Sequence, residues 1–74
     1  MSLVDPWEKA AECVRAAAAT VDPERHAVLT HLRNLWVALG NERHFMSVDD
    51  AAREAAVIGR LHIELVNSRQ LALH

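Results

Sequence analysis

The chain is poor in several things that would point to particular chemistries. Its only aromatic residues are Trp7, Trp36 and Phe45, and it holds no tyrosine. Two glycines and two prolines are too few for a glycine-rich phosphate loop or for the frequent turns of an all-β domain. A single cysteine, Cys13, excludes a disulfide within the chain and fits a reducing compartment. No apolar run reaches roughly 18 residues, so no membrane span is expected. The N-terminus lacks a basic stretch followed by an apolar one, so no secretory signal is read there. Eight Lys and Arg are scattered among ten Asp and Glu, for a net charge of −2. Nucleic-acid binders carry a basic face or stripe, so DNA or RNA is not the expected partner.

What the chain does have is helix-forming residues. Ala, Leu, Arg and Glu dominate its 74 positions, and all four favour helices. Alternating β-branched runs are missing, which leaves no strand to place. The length bounds the chain to one domain over residues 1–74. Thirteen of the 38 hydrophobic residues are alanine, and each of those buries little surface. A core built on this inventory is small for an independent fold, and a second copy or a protein partner would relieve the shortage.

Start signals divide the chain into three helices, over about residues 6–19, 23–39 and 48–68. Asp5 and Asp22 are N-caps, each followed by a proline in the first turn. Ser47 caps the third helix, with Asp49 and Asp50 favouring its positive end. In the first helix Trp7, Ala10, Ala11, Val14, Ala17, Ala18 and Val21 share one side, so Trp7 and Val14 are expected to anchor a face of mostly small residues. The second helix is the most regular, with Val28, Leu29, Leu32, Leu35, Trp36 and Leu39 at helical spacing. Gly40 and Asn41 are expected to close it in the left-handed conformation. The third helix is apolar over an arc of about 200°, against the ~100° that suffices for a surface helix. The expected fold is all-α, an up-down-up three-helix bundle or a hairpin plus a long third helix, completed by dimerisation. Trp7, Leu32, Leu35 and Trp36 are the expected core anchors. Ile58, Leu61, His62, Leu65 and Val66 are the candidate interface.

Five histidines are the obvious candidates for chemistry. His26 and His31 are five apart and point in different directions, and neither His-x-x-x-His nor Glu-x-x-His occurs. Zinc sites generally need four ligands at recognisable spacing, so no metal or other cofactor is expected. Cys13 reads as a small, partly buried apolar residue, because no base is fixed beside it by spacing. No catalytic residue is assigned. His62 stands out near the centre of the apolar arc of the third helix. It reads as a core or interface histidine with one hydrogen-bond partner. The sharper alternative is a proton-linked switch, in which a buried neutral imidazole resists protonation and the assembly loosens in mild acid.

The residues Ala11-Glu12-Cys13, then Asp22-Pro23-Glu24-Arg25, then Leu32, Leu35, Trp36 and Leu39 resemble small uncharacterised helical-hairpin proteins of α-proteobacteria, over about half the chain. The resemblance implies a bacterial, cytoplasmic helical hairpin and carries no activity with it. The expected function is a non-enzymatic protein–protein interaction or homodimerisation module. The alternatives are a small antitoxin-like or anti-factor regulator with a protein target, whose C-terminal residues 68–74 order on binding, and a histidine-dependent metal protein or enzyme.

Overall fold

The structure, a computed structural model, describes residues 4–67. Its elements are α1 (Pro6–Ala18), α2 (Pro23–Glu42), a 3-10 turn (Arg43–Phe45), α3 (Val48–His62) and a π turn (Ile63–Asn67). No strand occurs among the described residues, so the chain is an all-α bundle. No described helix is long and apolar enough to cross a membrane.

Each helix starts where its capping chemistry requires. The Asp5 carboxylate accepts from the Trp7 amide at 3.0 Å, and Asp22 accepts from the Glu24 amide at 3.0 Å. Ser47 Oγ accepts from the Asp50 amide at 3.0 Å. Each cap satisfies a backbone donor that the first turn leaves without an intrahelical partner. Between α1 and α2 the Asp22 amide donates to Thr20 Oγ1 at 3.2 Å, which helps to hold the chain reversal.

Three contacts define the direction of the elements. The Trp7 indole lies on Gly40, so the start of α1 meets the end of α2. Trp36 touches His62, and the Arg25 guanidinium donates to the Leu65 carbonyl at 2.6 Å. Thus α3 runs antiparallel to α2 and parallel to α1, as an up-down-up bundle requires.

The core is centred on α2. Leu29, Leu32, Trp36 and Leu39 are buried there, against Ala10, Cys13 and Ala17 of α1 and Ile58 of α3. The face α1 buries is Pro6, Ala10, Cys13 and Ala17, rotated from the expected stripe. Trp7 and Val14 are not its anchors: they are 48% and 53% exposed. The reason is division of labour between the two helices. The bulk comes from α2, so α1 turns its small residues inward and the backbones approach closely. Trp7 and Val14 are left on the flank.

Two other expectations are corrected. The second helix does not stop at residue 39 but continues to Glu42 and passes into the 3-10 turn. Neither Gly40 nor Asn41 has positive φ, so neither closes it in the left-handed conformation. Gly40 is needed for room instead: a Cβ there would stand 2.7 Å from Trp7 Cε2. The third helix is regular only to His62. The π turn after it adds a residue per turn and changes which side chains face inward. Leu65 and Val66 are half-buried against the core, while Ile63 is exposed.

Within α3 itself only Ile58 and His62 are buried. Val48 and Val57 are 80% and 62% exposed. The wide apolar arc is therefore covered within the chain mainly at its C-terminal end.

Candidate functional site

His62 is 1% exposed and is the one buried polar or charged side chain among the described residues. It lies where all three helices meet, and its two ring nitrogens have distinct partners. Trp36 Nε1–H donates to His62 Nδ1 at 3.1 Å. An indole nitrogen can only donate, so Nδ1 must carry a lone pair. The hydrogen of the neutral ring is therefore on Nε2, where it donates to Glu12 Oε1 at 2.8 Å. This pair of contacts fixes the tautomer. The two rings meet edge to face, with centroids 5.7 Å apart and planes at 76°. The Cys13 thiol completes the group, with Sγ 3.7 Å from Nδ1. No described buried side-chain nitrogen or oxygen lacks a partner.

The surroundings set the charge states. The hydrogen bond from His62 holds the Glu12 carboxyl below its ordinary value of 4.5, with burial opposing and Lys9, the His62 ring and Arg15 assisting. Lys9 Nζ is 3.8 Å from Glu12 Oε1. Burial pushes the Cys13 thiol above its ordinary value of 9.0, and the Glu12 charge adds to that effect, while Arg33 and Lys9 reduce it. At neutral pH Glu12 is thus a carboxylate and Cys13 a protonated thiol.

The depressed Glu12 value has a direct consequence for stability. A carboxylate held more tightly in the folded chain contributes stability that is present above 4.5 and lost as pH falls through the lower folded value. The urea midpoint of the wild type should therefore drop in that acid window. Glu12→Gln, which cannot titrate there, should show a flatter profile. Identical profiles would separate Glu12 from acid unfolding.

The order thiol, imidazole, carboxylate is that of a nucleophile, its base and an orienting group. Two features oppose that use. The indole N–H already occupies the nitrogen that would take the thiol proton. Cys13 has no exposed surface, and its burial favours the thiol over the reactive thiolate. The arrangement is better suited to holding three helices together. Cys13 and His62 also fall short of a metal site: no group of three His, Cys, Asp or Glu among the described residues is placed to hold an ion.

Two clefts flank this network, the first of them reaching Cys13. One, of about 320 Å³, runs between α1 and α2, with Val14, Ala17 and Ala18 facing His26, Thr30 and Arg33 above Cys13. The other, of about 360 Å³, is an apolar groove between α2 and α3, lined by Ala27, Val28, Leu32, Leu35, Leu61 and Leu65 with His31 at its edge.

The candidate interface divides. Leu61 and Leu65 line the groove. Ile58 and His62 are 5% and 1% exposed and belong to the chain's own interior, because the hairpin covers that end of α3. Val66 is half-buried against the core. Of the expected core anchors, Leu32 and Trp36 are fully buried, Leu35 is half-buried and Trp7 is on the flank. Residues 68–74 lie outside the described residues. Glu12 and Cys13 as partners of His62 were not foreseeable from spacing, since they are 50 and 49 positions away. The only hint was that a histidine on an apolar face needs a polar partner from another helix.

No protein-family model matches the chain, and no curated protein or solved structure matches it significantly.

Proposed function

We propose that this protein is a non-enzymatic interaction module that pairs with a second copy through the groove between α2 and α3. The observation that carries the reading is the groove itself, whose walls are aliphatic apart from His31. Val28 and Leu61 on its two walls are 40% and 39% exposed, a cost in water that burial against an apolar partner would remove. The groove offers both a floor (Leu32, Leu35) and raised rims (Val28, Leu61). A surface with both can be self-complementary, which a two-fold interface requires. Exposed Val57, one turn before Leu61 on α3, would extend the contact. In the same reading the resemblance to α-proteobacterial helical hairpins fits a bacterial cytoplasmic protein.

Leu61→Glu places a charge on the rim without touching a buried residue. Light scattering on a sizing column should show the wild type at twice the chain mass and Leu61→Glu at the chain mass, with unchanged helical content. A wild type that remains monomeric at high concentration, or a mutant that keeps the dimer mass, would refute pairing through this groove.

A further inference from the structure

We propose that the cleft between α1 and α2 binds a small amphiphilic carboxylate, whose anionic head pairs with Arg33 and whose unbranched aliphatic body lies along α1.

The cleft has two unlike walls. Its α2 wall is His26, Thr30 and Arg33, whose spacings of four and three residues put them on one face of that helix. Its α1 wall is Val14, Ala17 and Ala18, with Cys13 at the floor. One side therefore offers donors and the other offers only carbon. The volume of about 320 Å³ falls at the lower end of the range of small-molecule sites. Val14 is 53% exposed, apolar surface that an aliphatic ligand would take out of water.

Arg33 decides the charge of the ligand. It is half-buried and near enough for its charge to act on the Cys13 thiol, so the guanidinium belongs to the Cys13 end of the cleft. Among the described residues Arg25 donates to Leu65 and Arg53 to Asp50, whereas Arg33 has no acceptor and no ion-pair partner. Its planar fork matches a carboxylate with two parallel hydrogen bonds. No acidic residue lines the cleft. Glu12, beside the floor in sequence, is turned to His62 and Lys9.

The length of the ligand follows from the packing of the hairpin. Because α1 and α2 are antiparallel, Cys13 and Val14 stand at the Arg33 end and Ala18 at the His26 end. Seven residues of helical rise separate Arg33 from His26, about 10 Å, the length of an unbranched carboxylate of about eight carbons. With its head on Arg33, such a chain covers Val14, Ala17 and Ala18 on one side and meets the Thr30 methyl on the other. The α2–α3 groove lies on the other side of α2, so this ligand does not compete with a second copy there.

The test is a titration with octanoate, followed by methyl resonances. The Val14 and Thr30 methyls should shift together and saturate with a Kd of about 1 mM, as befits a ligand of about ten heavy atoms. Acetate brings the charge without the body, and octylammonium brings the body with the opposite charge. Each should bind at least about tenfold more weakly than octanoate, a difference worth one charged contact or a buried chain. Arg33→Gln should weaken octanoate about tenfold, and Arg33→Lys, which keeps the charge, should restore most of the affinity. Circular dichroism of both variants should match the wild type. Should Arg33→Gln fail to fold, the comparison of octanoate with octylammonium on the wild type decides. Equal binding of octanoate and octylammonium, or of octanoate and acetate, overturns the site. So does unchanged octanoate affinity in Arg33→Gln, or saturating shifts at Leu61 and Leu65 with none at Val14 and Thr30. The absence of any saturable shift at up to about ten times the expected Kd overturns it as well.

Discussion

Replacing Trp36 by alanine should remove about 3–5 kcal/mol of stability and move the urea midpoint sharply downward. Trp36 has no exposed surface and is the largest fully buried side chain among the described residues. It packs within the α2 core and meets α3 edge to face at His62. A chain of this length has roughly 4–11 kcal/mol in all, so one such loss is a large fraction of the total. Circular dichroism during urea unfolding would show a midpoint moved sharply downward. Trp36→Phe keeps one six-membered ring but loses the donor to His62 and part of the buried volume, so it should cost less than the alanine change yet more than the roughly 1–2 kcal/mol of the lost hydrogen bond alone. If Trp36→Ala kept a midpoint close to the wild type, the core would not be centred where the structure puts it.

Leu29→Ala should be more damaging than Trp7→Ala, although the tryptophan loses more atoms. Leu29 has no exposed surface, and truncating a leucine in such a place costs about 2–5 kcal/mol through lost burial and the cavity left behind. Trp7 is 48% exposed, and its indole rests on Gly40 at the open end of the hairpin. Removing it exposes a shallow contact to water and creates no enclosed void. Urea midpoints of the two variants, measured side by side, give the order. The reverse order would make Trp7 the anchor that its place on the helical wheel suggests.

The contrast between these two residues shows how far periodicity reaches. Both sit on apolar stripes, and a stripe identifies the side of a helix that is less polar. It does not say how large a part of that side a neighbour covers. On α2 the stripe is wide, bulky and opposed from two directions, so Leu29, Leu32, Trp36 and Leu39 were legible as core. On α1 the apolar residues spread over more than half the circumference, and most are alanine. The inward direction there depends on which face lets α2 approach closest. Cys13 and Ala10 won that position over Trp7 and Val14 because small residues permit the closer approach.

The candidate site divides along the same line. His62 was conspicuous because a polar ring in an apolar arc carries a desolvation penalty unless it is bonded. Its partners were not, because Glu12 reads as part of the solvent-facing side of α1 and Cys13 as a small apolar residue. The expected single partner became three: an indole donor, a carboxylate acceptor and a thiol. Likewise, Leu61 and Leu65 could be named as surface apolar residues, but Ile58 and His62 on the same arc are inside, since the hairpin covers only the end of α3.

By itself the sequence determined the local features of this protein. Caps at Asp5, Asp22 and Ser47, helix formers between them and short connections dictate three helices, because the energies that start and stop a helix act within one turn. Antiparallel neighbours follow from loop lengths alone. Tertiary structure decided everything that depends on which faces meet: the inward rotation of α1, the glycine required beneath Trp7, the tautomer of His62, and the groove left between α2 and α3. Those outcomes rest on contacts between residues tens of positions apart. Close packing of side-chain volumes chooses among faces that a single helix leaves nearly equivalent.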